Sequence, residues 1–278
     1  MAVNISNSEL KETRGEKLPP ASLEILKKMR EEQCSSGPSN NFKLQNYQRF
    51  LRRILSPESP VKNLLVVHGT GTGKTCTAIQ ISEEYITRPE FQDKTVLVLA
   101  NPAVQDNFKN QIFNLSKVHI DNGILKSKQC TGRRYLDMIL RVQNEPMKWS
   151  DPQVRDKIAS ISDKLIKEFY EFQGYQEFSN RLNTEKEVGA LHADTWIHKT
   201  FDNRMIIIDE AHSLRATDEG LELKAMSRSL QEIVEKADNL ILILLTATPM
   251  FDDYTEILYY FNLFLLNDRK IKTFMKTE

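Results

Sequence analysis

Cysteine is scarce in this 278-residue chain: Cys34, Cys76 and Cys130 are too few and too widely spaced for a disulfide framework, and no C-x-x-C pair points to zinc. Reduced thiols in a reducing compartment are expected. Ten glycines and ten prolines are too few for a fibrous or low-complexity chain, and 40% hydrophobic residues argue against overall disorder. Neither sign of charge prevails. The 38 basic and 38 acidic side chains cancel, which removes the global basic excess typical of nucleic-acid binding. Long apolar runs are missing as well: residues 205–208 and 240–245 fall far below the roughly 20 needed to span a bilayer, and the N-terminus lacks a secretory apolar segment. An intracellular, non-membrane globular protein is expected, long enough for two ordinary domains or one enlarged one.

What is present is a change of pattern along the chain. Residues 1–40 are rich in Ser, Asn, Glu and Lys and carry Pro19 and Pro20, so a weakly ordered extension with one short helix over 21–32 is predicted. A polar break at 34–41 precedes a helix-like segment, 44–55, and the compact domain is expected to span 41–278. Short continuous apolar runs follow at 64–67, 96–100, 205–208 and 240–245. Runs of this kind suit strands covered on both faces of a parallel sheet, with 75–85 and 103–115 as crossover helices. Residues 130–200 read as a largely helical excursion from that sheet, clearest over 151–174. Between 109 and 148, eight Lys or Arg stand against three Asp or Glu, a surplus that reads first as a solvated face and second as a phosphate contact.

The first strand ends at His68 and enters H-G-T-G-T-G-K-T, residues 68–75, which opens a helix. A strand, a Gly-rich turn and a helix N-terminus aim consecutive backbone N–H groups at one place, where the helix dipole also favours negative charge. A triphosphate suits that place. Gly69, Thr70, Gly71, Thr72 and Gly73 would wrap it, Lys74 would reach the β- and γ-phosphates, and the Thr75 hydroxyl would ligate Mg2+. The general pattern starts with Gly where this chain has His68; the G-x-G-K-T core is intact.

Asp209-Glu210-Ala211-His212 follows the apolar run 205–208, which puts two carboxylates at the sheet rim where ligands bind in such folds. Asp209 is the candidate Mg2+ ligand, and Glu210 the candidate base for the water attacking the γ-phosphate. Thr246-Ala247-Thr248-Pro249 follows the next run; its hydroxyls could bond the acidic loop and sense the γ-phosphate, although taken singly it is an ordinary strand end.

The order G-x-G-K-T, D-E-A-H, T-A-T-P resembles motifs I, II and III of superfamily 2 helicases and translocases. More narrowly, C-T-G-R-R-Y-L at 130–136, F-Q-G-Y-Q-E-F at 172–178 and N-L-F-L-L-N-D at 262–268 resemble the helicase-like ATPases of large nucleocytoplasmic DNA viruses, whose first motif also tends to begin with His. That resemblance runs over about 41–268, with Gly174-Tyr175 standing where the group often has Thr-Tyr. It implies a RecA-like P-loop α/β fold with ATP and Mg2+. Gln48 would read adenine, unless Tyr47 and Phe50 mark only a core helix. Asn101, Pro102 and Asn107 would grip a nucleic-acid backbone, with DNA favoured over RNA, and His212, Thr246 and Thr248 would couple that grip to hydrolysis.

A motor of this superfamily also needs a second RecA-like domain carrying an arginine finger, and no second Q-x-x-G-R-x-x-R-like element occurs. A partner domain in cis or trans is therefore expected. An arginine finger contributes about 10³ to 10⁵ in kcat, so weak turnover is expected of this chain alone. Three functions remain open: a helicase or translocase first motor domain, the ATPase of a viral transcription initiation or termination factor working with viral machinery, and a nucleotide-binding module without useful catalysis. A viral origin would imply a cytoplasmic replication site or the virion.

Overall fold

The computed structural model describes residues 44–69, 71–91, 93–122, 124–142, 151–214, 221–250 and 255–269. The expected extension 1–40 with its helix, and the loop residue Thr70, lie outside the described residues. In chain order the strands are β1 (Asn63–Val67), β2 (Val96–Leu99), β3 (Val118–Asp121), β4 (Ile124–Ser127), β5 (Tyr170–Gln173), β6 (Met205–Ile208) and β7 (Ile241–Thr246). The helices are α1 (Asn46–Ile54), α2 (Lys74–Ile86), α3 (Pro102–Ile112), α4 (Arg134–Val142), α5 (Pro152–Phe169), α6 (Tyr175–Val188), α7 (Ala190–Phe201), α8 (Leu221–Lys236) and α9 (Thr255–Asn267).

β1, β7, β6, β2 and β5 form one parallel sheet in that order, and β3 pairs antiparallel with β4 outside it. Three of the four continuous apolar runs have the cause expected of them: β2, β6 and β7 are buried along their whole length, whereas β1, at the end of the sheet, buries only Val66 and leaves Val67 exposed. Alternate residues feed two cores. Val96, Val98, Met205, Ile207, Ile241, Ile243 and Leu245 pack with Ile79, Phe108, Ile139 and Ile158 from α2, α3, α4 and α5. Leu97, Leu99, Ile206, Ile208, Leu242 and Leu244 pack with Phe178, Ile197, Met226 and Tyr260 from α6, α7, α8 and α9. Helices therefore cover both faces of the sheet, the architecture of an α/β fold whose ligand edge lies at the strand C-termini.

Two expectations are corrected. Residues 151–174 are not one helix: α5 ends at Phe169 and the chain continues directly into β5, which pairs with β2 from Val96↔Tyr170 to Leu99↔Gln173. The excursion thus returns a strand to the sheet edge. Tyr170 and Phe172 point inward, with ring centroids 6.3 and 6.0 Å from Phe108, whereas Glu171 pairs with Arg204 and Arg181. Second, the thiols are not all free. Cys76 in α2 is disulfide-bonded to Cys130, their Cα atoms 5.4 Å apart, because the chain between them folds back onto α2. Spacing of 54 residues gave no hint of this.

The β3–β4 hairpin was also unforeseen, although Asn122, with φ +51, occupies the left-handed conformation that Asn-Gly hairpin turns use. The basic surplus over 109–142 is largely engaged: Lys126 pairs with Asp121, Arg133 with Asp137 and Arg134 with Glu83, while Lys109 lies 5.0 Å from the Phe172 ring centre. That favours the solvated-face reading. No helix of the described residues is long and apolar enough to cross a membrane.

Candidate active site

The phosphate loop leaves β1, Asn101 follows β2, Gly174 follows β5, Asp209 follows β6, and Thr248 lies just past β7. All five corners lie on the same edge of the parallel sheet. Beside the loop after β1 and the Asp209 corner opens a cleft of about 530 Å³ whose lining includes Gln48, Gly71, Thr72, Gly73, Lys74, Thr75, Asp209 and Glu210.

The phosphate loop is shaped by glycine and braced by α1. Gly73 has φ +91, and a Cβ there would sit 3.0 Å from Gln48 Nε2 and 3.2 Å from Tyr47 Oη. Only glycine meets both demands without strain. Tyr47 donates its hydroxyl to the Thr72 carbonyl at 2.5 Å, and Gln48 donates Nε2 to the Gly73 carbonyl at 3.3 Å. His68 fits where the general pattern has glycine because its ring packs edge-on against Tyr47, with centroids 4.9 Å apart. Burial, helped by the nearby Lys74 ammonium, holds the His68 pKa below its ordinary 6.5, so the ring stays neutral.

Lys74, the first residue of α2, donates Nζ to the carbonyls of His68 at 2.9 Å and Gly69 at 3.2 Å. The ammonium lies along the loop it would serve. One residue on, the Thr75 hydroxyl lies 3.3 Å from Asp209 Oδ2. This contact joins two motifs 134 positions apart in sequence. Asp209 is buried, which raises its pKa above the usual 3.8, even though the Glu210 N–H donates to Oδ1 at 3.0 Å.

Glu210 is half-buried, and its carboxylate lies 3.2 Å from His212 Nδ1. The same ring nitrogen is 3.4 Å from Thr246 Oγ1, which also accepts from the Thr248 N–H at 3.2 Å. The expected coupling residues are therefore in one chain of contacts running from Glu210 through His212 to Thr246. It runs to the β7 corner; Asn101 and Pro102 lie at the β2 corner.

Other expected site residues have different surroundings. Gln48 has both ends of its amide committed, since Oε1 accepts from the Gln45 N–H at 2.9 Å, so it buttresses the loop in this conformation. Asn101 caps α3 by accepting from the Val104 N–H at 3.0 Å, and Pro102 is the first residue of that helix. Asn107 lines the cleft itself, together with Gln111 one turn further along α3. Tyr47, a core candidate by sequence, instead supports the loop after β1 through its hydroxyl; its place directly before Gln48 is the available signal.

Residues 41–251 match the family described as "Type III restriction enzyme, res subunit". The chain is 30% identical over 230 residues to "Putative ATP-dependent RNA helicase R563" of Acanthamoeba polyphaga mimivirus, covering 82% of this chain and 34% of that protein. It is 28% identical over 245 residues to "Putative helicase 087L" of Invertebrate iridescent virus 3, covering 85% of this chain and 21% of the relative. For "Putative helicase 009L" of Frog virus 3 the figures are 27% over 230 residues, 81% and 20%. The chain therefore spans between a fifth and about a third of the length of these relatives. The chain belongs to the type III restriction enzyme res-subunit family, among the superfamily 2 helicase-like ATPases that large DNA viruses share.

Proposed function

We propose that this chain is the ATP-binding first motor domain of a nucleic-acid-dependent ATPase, working with a second RecA-like domain in cis or trans. The observation that carries the reading is the 3.3 Å approach of the Thr75 hydroxyl to the Asp209 carboxylate, with Lys74 and Glu210 lining the same cleft. Two hard oxygen ligands side by side fit Mg2+, which when bound would neutralise charge on the β- and γ-phosphates.

The residues divide the work. Loop N–H groups and Lys74 bind the phosphates, the ammonium exchanging two backbone carbonyls for phosphate oxygens. Glu210 accepts the proton of the attacking water, and His212 bonds the carboxylate on one side while reporting to Thr246. Asn107 and Gln111 complete the far wall of the cleft. The greater length of the relatives supports a further domain that closes over this edge. Nucleic acid would then be gripped across the two domains and moved as the cleft opens and closes.

The test is ATP hydrolysis followed by release of labelled phosphate, with and without single-stranded DNA or RNA. Lys74→Met is expected to lower nucleotide affinity about 100-fold, the value of one strong charge-assisted contact. Glu210→Gln should keep ATP bound while lowering hydrolysis at least ~100-fold. Hydrolysis by Glu210→Gln at the unsubstituted rate would end the proposal. Stimulation by DNA, RNA or both sorts the nucleic-acid class, and a rate indifferent to both would remove nucleic-acid dependence from the reading.

A further inference from the structure

Glu210 has φ +54, in the left-handed region that side-chain-bearing residues sparsely populate. A residue in that region persists when its surroundings hold it there. Two tyrosines supply that hold from distant parts of the chain. Tyr175, the first residue of α6, donates its hydroxyl to the Asp209 carbonyl at 2.9 Å. Tyr260, fully buried in α9, donates to the Ala211 carbonyl at 3.2 Å. The accepting carbonyls belong to the residues immediately before and after Glu210. Between them the turn closes on itself, the Ser213 N–H donating to the Glu210 carbonyl at 2.9 Å.

We propose that Tyr175 and Tyr260 are positioning residues for hydrolysis: Tyr175 fixes the peptide unit that enters Glu210 and Tyr260 the one that leaves Ala211, and together they aim the Glu210 carboxylate at the attacking water. The proposal rests on the reading of Glu210 as the base. A carboxylate aimed by strained backbone loses its reach if that backbone relaxes, and a misplacement of about 1 Å can cost 10²-fold in rate. Neither tyrosine is among the residues that line the cleft, so their effect passes through the turn.

The two tyrosines also differ in what they connect. Tyr260 ties the turn to a helix of the sheet's own face, within a core that includes Leu263 and Ala211. Tyr175 ties it to the segment that follows β5, and β5 is bonded to β2 next to the Asn101 corner, where the Ala100 N–H donates to the Gln173 carbonyl at 3.2 Å.

The experiment is single-turnover hydrolysis of γ-labelled ATP by excess protein of the full chain, with the ATP dissociation constant measured in parallel. Tyr175→Phe and Tyr260→Phe each remove one hydroxyl and keep the ring. Each is expected to slow hydrolysis about tenfold while leaving the dissociation constant within about twofold. In a Glu210→Gln background, Tyr175→Phe should change the residual rate by less than about twofold, because the tyrosine acts through the missing carboxylate. If both Phe variants hydrolyse normally while Glu210→Gln is impaired, the tyrosine proposal fails and the base stands. Rate and affinity falling by the same factor would also overturn it, making the tyrosines supports of the whole cleft. Unimpaired hydrolysis by Glu210→Gln would instead sink the underlying base assignment.

Discussion

The phosphate loop and the acidic loop face each other across one cleft and both contain left-handed backbone, yet they reach it by opposite means. At Gly73 the conformation is free of side-chain cost, and the absent Cβ lets Gln48 and Tyr47 come close. At Glu210 the side chain is indispensable to the proposed chemistry, so the conformation is imposed from outside by hydrogen bonds to the neighbouring carbonyls. The first loop is shaped by omission and the second by restraint. A loop that only has to present N–H groups can dispense with side chains; a loop that must present a carboxylate cannot.

The comparison can be tested by perturbing each side, starting with the largest effect. The helix behind the phosphate loop is covalently anchored through Cys76 to Cys130, whereas the acidic loop is held by hydrogen bonds and by the packing of Ala211 and Leu214. On a chain-entropy estimate, closing a loop of 54 residues contributes about 4 kcal/mol. Reductant is therefore expected to lower Tm by about 10 °C in a thermal melt, with a thiol count rising from one to three. A melt unmoved by reductant, with three thiols already free, would remove the anchor from the comparison.

Next, Gly73→Ala should destabilise by about 2 kcal/mol, measured by urea unfolding, since it combines a left-handed φ with a crowded Cβ. A loss below about 0.5 kcal/mol would mean that α1 yields easily and braces little. The smallest effect has the opposite sign. Glu210→Gly should stabilise the fold by about 1 kcal/mol in the same measurement while abolishing the hydrolysis assigned to the carboxylate. Destabilisation instead would show that the left-handed turn costs nothing worth relieving, and the contrast between the loops would collapse.

How far these regions were legible in the sequence follows from the same physics. Residues 205–208 and 240–245 announced themselves as strands because burial on both faces demands unbroken apolar runs. β5 did not, because Glu171 and Gln173 interrupt its apolar residues and no turn residue separates it from α5. Its glutamate is accommodated at the sheet edge by Arg204 and Arg181, partners that no local pattern reveals. At the cleft, Gly71, Gly73, Lys74, Thr75, Asp209 and Glu210 were visible because phosphate and metal chemistry restricts residue type at fixed spacing. Tyr47, Tyr175 and Tyr260 were not. A tyrosine that serves a carbonyl is indistinguishable in sequence from one that fills a core until its partner's position is known. Cys76 and Cys130 posed the same difficulty, since proximity in space was created by the fold of the intervening chain.

The edge strand β5 has one more implication. Because it joins the ladder of β2 through consecutive backbone bonds, the segment from α5 to α6 is not a separate lobe swinging on a linker. A pull on that segment bears directly on the sheet's terminal rung, a few residues from Asn101 on one side and from the Tyr175 hydroxyl on the other. Force applied there would arrive at the acidic turn as displacement with little slack, the behaviour of a rigid lever arm.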